Sequence, residues 1–161
     1  MKKFTLAAIS IASLFAGSAS AVDIDLSGNV ATVCSVSSAT TAITSLSGGT
    51  ISGINMSCND FDGATVTMTS SEGGLQGIDS ENLVIPYKAT LTPVGLTPLV
   101  LNLMRNGTVG NNDTSASTTY SGSSLLNGTS AELVITTGTS TATGAWAGAY
   151  YDKLTIQISA L

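Results

Sequence analysis

Two cysteines, Cys34 and Cys58, and no histidine at all make up the reactive inventory of this 161-residue chain. No Ser-His-Asp or Cys-His arrangement can be assembled without an imidazole. A zinc site would want more ligands. Chemistry would therefore have to rest on carboxylates, and Asp60 and Asp62 form a close pair. Within Asn59-Asp60-Phe61-Asp62-Gly63 they read as outward-pointing turn residues rather than convergent acids. The same segment faintly resembles an acidic calcium loop, yet it lacks the remaining oxygen ligands and the distal Glu. The Gly-rich stretches lack the Lys and following helix that a phosphate cradle needs. The sequence thus points away from an enzyme, and toward no cofactor, metal or nucleotide.

The only aromatic cluster is Trp146, Tyr150 and Tyr151. Such rings can stack on sugars, but near the start of a final strand they more often fill a core or a sandwich rim. A self-sufficient secreted β-sandwich that binds carbohydrate through them is the alternative reading. Asn-x-Ser/Thr sequons at Asn55, Asn106, Asn112 and Asn127 mark polar loops at best.

The cysteines acquire meaning from the start of the chain. Lys2 and Lys3 precede an apolar stretch from Phe4 to Phe15, and Ala19-Ser20-Ala21 supplies a small-x-small cleavage pattern. The stretch is too short to span a bilayer, which wants about 20 apolar residues. Residues 1–21 are read as a signal peptide and residues 22–161 as a single domain. In an oxidising compartment an even pair of cysteines is read as a disulfide. Closing the 24-residue span from Cys34 to Cys58 is worth about 3.5 kcal/mol in the chain-entropy model.

Cleavage would leave three basic against ten acidic side chains, a net charge near −7. That balance argues against nucleic acid or an anionic membrane surface as a partner. Ser, Thr, Gly, Ala and Val dominate, so strands and turns are favoured over helices. No further segment looks membrane-spanning.

The elements that would have to position any site are short strands. Val22, Ile24, Leu26, Gly28 and Val30 alternate with Asp23, Asp25, Ser27 and Asn29, the period-two pattern of a strand with one dry face. The pattern returns at Ile54, Met56 and Cys58, then at Ala64, Val66 and Met68. It continues through Leu83, Ile85, Tyr87, Ala89 and Leu91, with Pro86 suggesting an edge or a bulge. Leu99, Leu101 and Leu103 follow, then Leu133 and Ile135, and finally Leu154, Ile156, Ile158 and Ala160. Residues 105–129 read mostly as an exposed loop or loosely paired hairpin. About seven strands predict an all-β, immunoglobulin-like sandwich, with a small barrel as the alternative.

Two segments carry a family resemblance. Trp146-Ala147-Gly148-Ala149-Tyr150-Tyr151-Asp152-Lys153-Leu154-Thr155-Ile156 resembles the spore coat protein U-like domain of archaic chaperone–usher pilus subunits. Ile24-Asp25-Leu26-Ser27-Gly28-Asn29-Val30, leading to Cys34, is similar to the N-terminal segment of pilins of the wider chaperone–usher class. The resemblance implies a sandwich lacking its last strand, with an open apolar groove beside Leu154, Ile156 and Ile158. It implies a periplasmic chaperone and an outer-membrane usher as assembly partners, and neighbouring subunits in an adhesive surface fibre. Val22 to Val30 would be the donor strand filling a neighbour's groove. Such a strand would extend about 30 Å and bury apolar surface worth on the order of 10 kcal/mol before ordering costs. Gly28 could match a shallow point of the groove. One departure stands: only twelve residues separate Ala21 from Cys34, so residues 22–30 could instead be the domain's own first strand.

Overall fold

The computed structural model describes residues 26–38, 42–78, 80–104, 114–138 and 148–161. The chain divides into two compact units, residues 1–30 and 31–161. Of the first unit, residues 26–30 are described; they form no strand, and Leu26 and Val30 are exposed. The strand expected over Val22–Val30 is therefore not formed in its described part. Val22, Ile24 and the expected cleavage site at Ala21 lie outside the described residues.

The second unit is all-β, and every described pairing is antiparallel. Its first strand is β1 (Cys34–Ser37), which pairs with β2 (Gly48–Cys58). A five-stranded sheet continues from β2 to β9 (Thr129–Thr137), β6 (Tyr87–Pro93) and β7 (Leu99–Asn102). A second sheet has β3 (Ala64–Ser70) at its centre, with β8 (Thr114–Tyr120) on one side and β11 (Leu154–Ala160) on the other. A third, smaller sheet joins β4 (Leu75–Gly77) to β5 (Ser80–Ile85) and β10 (Tyr150–Tyr151). One helical turn, α1 (Gly122–Leu125), follows β8.

The alternation read from the sequence is the alternation that is buried. Ile54, Met56 and Cys58 of β2, Val66 and Met68 of β3, and Ala89 and Leu91 of β6 all belong to one cluster, with Leu99, Leu101 and Leu133. Side chains of the first two sheets thus share a single core. Met68 is fully enclosed, and Met68→Ala should cost about 2–5 kcal/mol through lost apolar burial and the cavity left behind. Urea unfolding of the purified domain measures this. A loss under ~1 kcal/mol would mean the core collapses around the gap.

Two sequence expectations need correction. Residues 83–91 are not one strand: Pro86 separates β5 from β6, and the two halves enter different sheets. Proline has no amide hydrogen to give the ladder, and its carbonyl instead accepts the amide of Gly138. Within residues 105–129, of which 114–129 are described, the part read as exposed loop or loosely paired hairpin contains a regular strand: β8 pairs with β3 over seven consecutive positions from Ala64↔Tyr120 to Ser70↔Thr114. Its half-buried row is Thr114, Ala116 and Thr118, which carries strand propensity without the apolar signal that marks a buried face.

Candidate functional site: an open groove beside the last strand

The last strand, β11, has one partner. Along the β3 ladder Leu154 faces Ser70, Ile156 faces Met68 and Ile158 faces Val66. Directly opposed residues of antiparallel strands point to the same side, so these two rows share the core-facing side. Their burial differs: Ser70, Met68 and Val66 are 0% exposed, whereas Leu154, Ile156 and Ile158 are only half-buried. Among the described residues β11 is an edge strand, and no strand pairs with its outer side.

Across the opening stands β1, the edge strand of the five-stranded sheet. It approaches β11, and two adjoining hollows lie in this region. One, of about 280 Å³, is lined by Val36, Ser37, Ile54, Leu133, Leu154 and Ile156. The other, of about 260 Å³, runs past Ile43, Ile51, Tyr87, Leu133 and Leu154 to Asp152. Ile51, Leu133 and Leu154 line both, so the two are one continuous apolar groove. Its floor comes from Ile51 and Ile54, which flank a bulge in β2, and from alternate positions of β9, and its walls from β1 and β11.

The wall strand β1 is only four residues long, and Cys34 is paired directly with Cys58 of β2 in the ladder. The two form a disulfide. It ties β1 covalently to β2 at one end of their four-residue ladder.

At the other end of the groove a carboxylate ties three segments together. Asp152 Oδ2 accepts the hydroxyls of Ser70 (2.6 Å) and Tyr87 (2.6 Å). Its Oδ1 accepts the Ser71 hydroxyl (3.2 Å) and the Glu72 amide (3.1 Å). Ser70 Oγ in turn accepts the amide of Gly73 (2.8 Å). The hub joins the start of β11 to the end of β3 and, through Tyr87, to the five-stranded sheet. Burial, and then the neighbouring Asp152, hold the Tyr87 phenol well above its ordinary range. A folded-state value raised above the unfolded one means that Tyr87 favours folding at all pH below about 10. That contribution is lost progressively as pH rises past it.

Asp152→Ala would strand the Tyr87 and Ser70 hydroxyls in a buried setting, a loss of about 3 kcal/mol or more. Tyr87→Phe removes only one of four donors and should cost about 1–2 kcal/mol. It should also flatten the alkaline fall in stability. Thermal melts of both variants between pH 7 and 11 check the order. Equal losses, or an unchanged alkaline limb in Tyr87→Phe, would contradict the hub.

The remaining sequence candidates are placed elsewhere or gain no chemistry. Asp60 Oδ1 accepts the amide of Asp62 at 2.8 Å, a local turn bond. Among the described residues no group of three or more acidic or cysteine side chains comes together as a metal site. No helix among them is long and apolar enough to cross a membrane. Tyr150 is half-buried and Tyr151 is 49% exposed on β10, so Tyr151 lies on the surface rather than in the core; Trp146 lies outside the described residues. Asp152 was missed by sequence reasoning. A lone acid next to Lys153 carries no signal until Ser70 and Tyr87 are brought to it. No family model matches the chain, and neither a curated protein nor a solved structure matches it.

Proposed function

We propose that the chain is a structural subunit of a surface fibre, assembled by strand exchange between copies of an incomplete immunoglobulin-like sandwich. One observation carries this reading: the apolar row of β11 is half-uncovered while the row paired with it on β3 is sealed. An apolar strand laid antiparallel along the free edge of β11 would cover Leu154, Ile156 and Ile158. It would also pair the open main-chain groups of the edge. The donor is the alternating segment Val22, Ile24, Leu26, Gly28 and Val30. It lies ahead of β1 (Cys34–Ser37) in the chain, and its described part, residues 26–30, is exposed and forms no strand, which supports a donor role.

In this role the protein does no chemistry of its own. A periplasmic chaperone would cover the groove first and an outer-membrane usher would direct assembly at the cell surface, where the fibre serves adhesion or biofilm formation. Expressed by itself, the chain should be poorly soluble and be rescued by a cognate chaperone.

Assembly of the purified mature chain, seen as a ladder of bands resistant to unheated detergent, is the direct test. Ile156→Asp places a carboxylate in the groove and should abolish the ladder. Gln157→Asp, one residue on and exposed, should leave it intact. A stable, soluble monomer that never assembles would overturn the reading.

A further inference from the structure

The pole of the domain at which residue 31 enters carries apolar side chains that serve no internal purpose. Phe61, in the β2–β3 loop, is 95% exposed, Val33 is 62% exposed and Leu161 is 57% exposed. Their backbones are tied together. Asn59 accepts the Val33 amide on its Oδ1 (2.6 Å) and donates its own amide to the Val33 carbonyl (3.2 Å). The amide of Leu161 donates to the carbonyl of Gly63 at 3.2 Å. Three segments therefore hold one apolar cap around the Asn59–Gly63 loop.

The same asparagine governs how the chain arrives. Its Nδ2 donates to the carbonyl of Ala31 at 2.9 Å, so both Ala31 and Val33 are gripped by one side chain. Between the last donor position, Val30, and the first residue of β1, Cys34, only Ala31, Thr32 and Val33 remain. Three residues span at most about 10 Å. Because two of them are clamped, the connection is a short fixed arm and not a tether.

From this we infer that the cap formed by Val33, Phe61 and Leu161 packs against the mouth of the groove in a second copy of this chain. The inference rests on the strand-exchange reading and adds a second interface to it. If Val30 ends its strand beside the neighbour's Leu154, the arm brings the donor's own pole within about 10 Å of that position. The mouth there carries exposed apolar groups of its own. Tyr151 adjoins Asp152, which lines the groove, and is 49% exposed; Leu46 adjoins Ser45, which also lines it, and is 38% exposed. Cap and mouth are different surfaces at opposite ends of the ladder, so the contact is head-to-tail and propagates as an open fibre. The joint between successive subunits is then a packed, stiff contact.

Site-directed crosslinking tests this. Among the described residues there is no free cysteine, so introduced thiols report alone. A chain carrying both Phe61→Cys and Tyr151→Cys is assembled and treated with a bismaleimide of about 10 Å reach, the span of the arm. A control pairs Tyr151→Cys with Val100→Cys, on the exposed side of β7. Crosslinked dimers and higher species several-fold above the control are expected, and only in assembled material. A detergent-resistant ladder without that excess overturns the packed joint while leaving strand exchange standing. No ladder from the unsubstituted chain overturns both.

Discussion

Replacing Cys34 and Cys58 together by serine is expected to lower the stability of the domain by about 3.5 kcal/mol, the loop-closure term for a 24-residue separation. For a domain of this size that is a large share of the total. The loss should not be spread evenly. β1 has a single partner, β2, and four residues of ladder, so without the crosslink it is the element most prone to detach. Val36 and Ser37 then leave the groove wall. The double variant should therefore unfold at lower urea and also accept a donor strand more weakly than its stability alone would explain. Equilibrium unfolding, with binding of a synthetic peptide spanning residues 22–30 measured below the transition, separates the two effects. A loss under ~1 kcal/mol with unchanged peptide binding would show that β1 holds its place without the disulfide.

Deleting residues 22–30 from the mature chain should abolish assembly completely while leaving the domain folded. The reason is local. The domain's ladder begins at Cys34, and Asn59 holds Ala31 and Val33 from within the same unit. The described core lies within residues 31–161, and residues 26–30, the described part of the deleted segment, are exposed. The truncated chain should remain a receiver, binding the added peptide and gaining thermal stability as ligand accumulates. A peptide with Leu26→Asp should fail, since a strand antiparallel to β11 with Val30 beside Leu154 sets position 26 beside Ile158 and presses a carboxylate against that apolar row. Size-exclusion chromatography and melting curves read both outcomes. Persistent polymers in the truncated chain would mean that some other segment is exchanged, and loss of folding would place residues 22–30 in the domain's own core.

The stiffness expected at the joint comes from the same few residues. Asn59 spends its side chain and its amide on Ala31 and Val33, so the direction in which the donor segment leaves is set by the β2–β3 loop. Phe61, at the tip of that loop, is almost wholly exposed, and burial of such a ring against a neighbour is worth about 1.5–3 kcal/mol. A fibre built this way resists bending at each joint as well as dissociation.

Much of this was legible in the residues themselves. Two cysteines, no histidine and a Ser/Thr/Gly-rich composition sufficed to expect an all-β domain with one crosslink. Period-two alternation marked β3, β6, β7 and β11, because a strand with one dry face must repeat every second residue. Where the alternating residue is Thr or Ala, as in β8, the pattern carries no apolar contrast and the strand goes unseen. Pro86 was visible, but whether it bends a strand or divides it between sheets depends on which edge each half finds. A groove beside Leu154, Ile156 and Ile158 was expected from the family resemblance alone, and neither the residues facing β11 across it nor the Asp152 hub could be read from the sequence, for a related reason. Both arise where residues far apart in the chain meet, Asp152 with Ser70 and Tyr87, and Leu154 with Ile51 and Leu133. Composition and period specify the faces of strands; which face is left uncovered is decided only when the sheets close on one another.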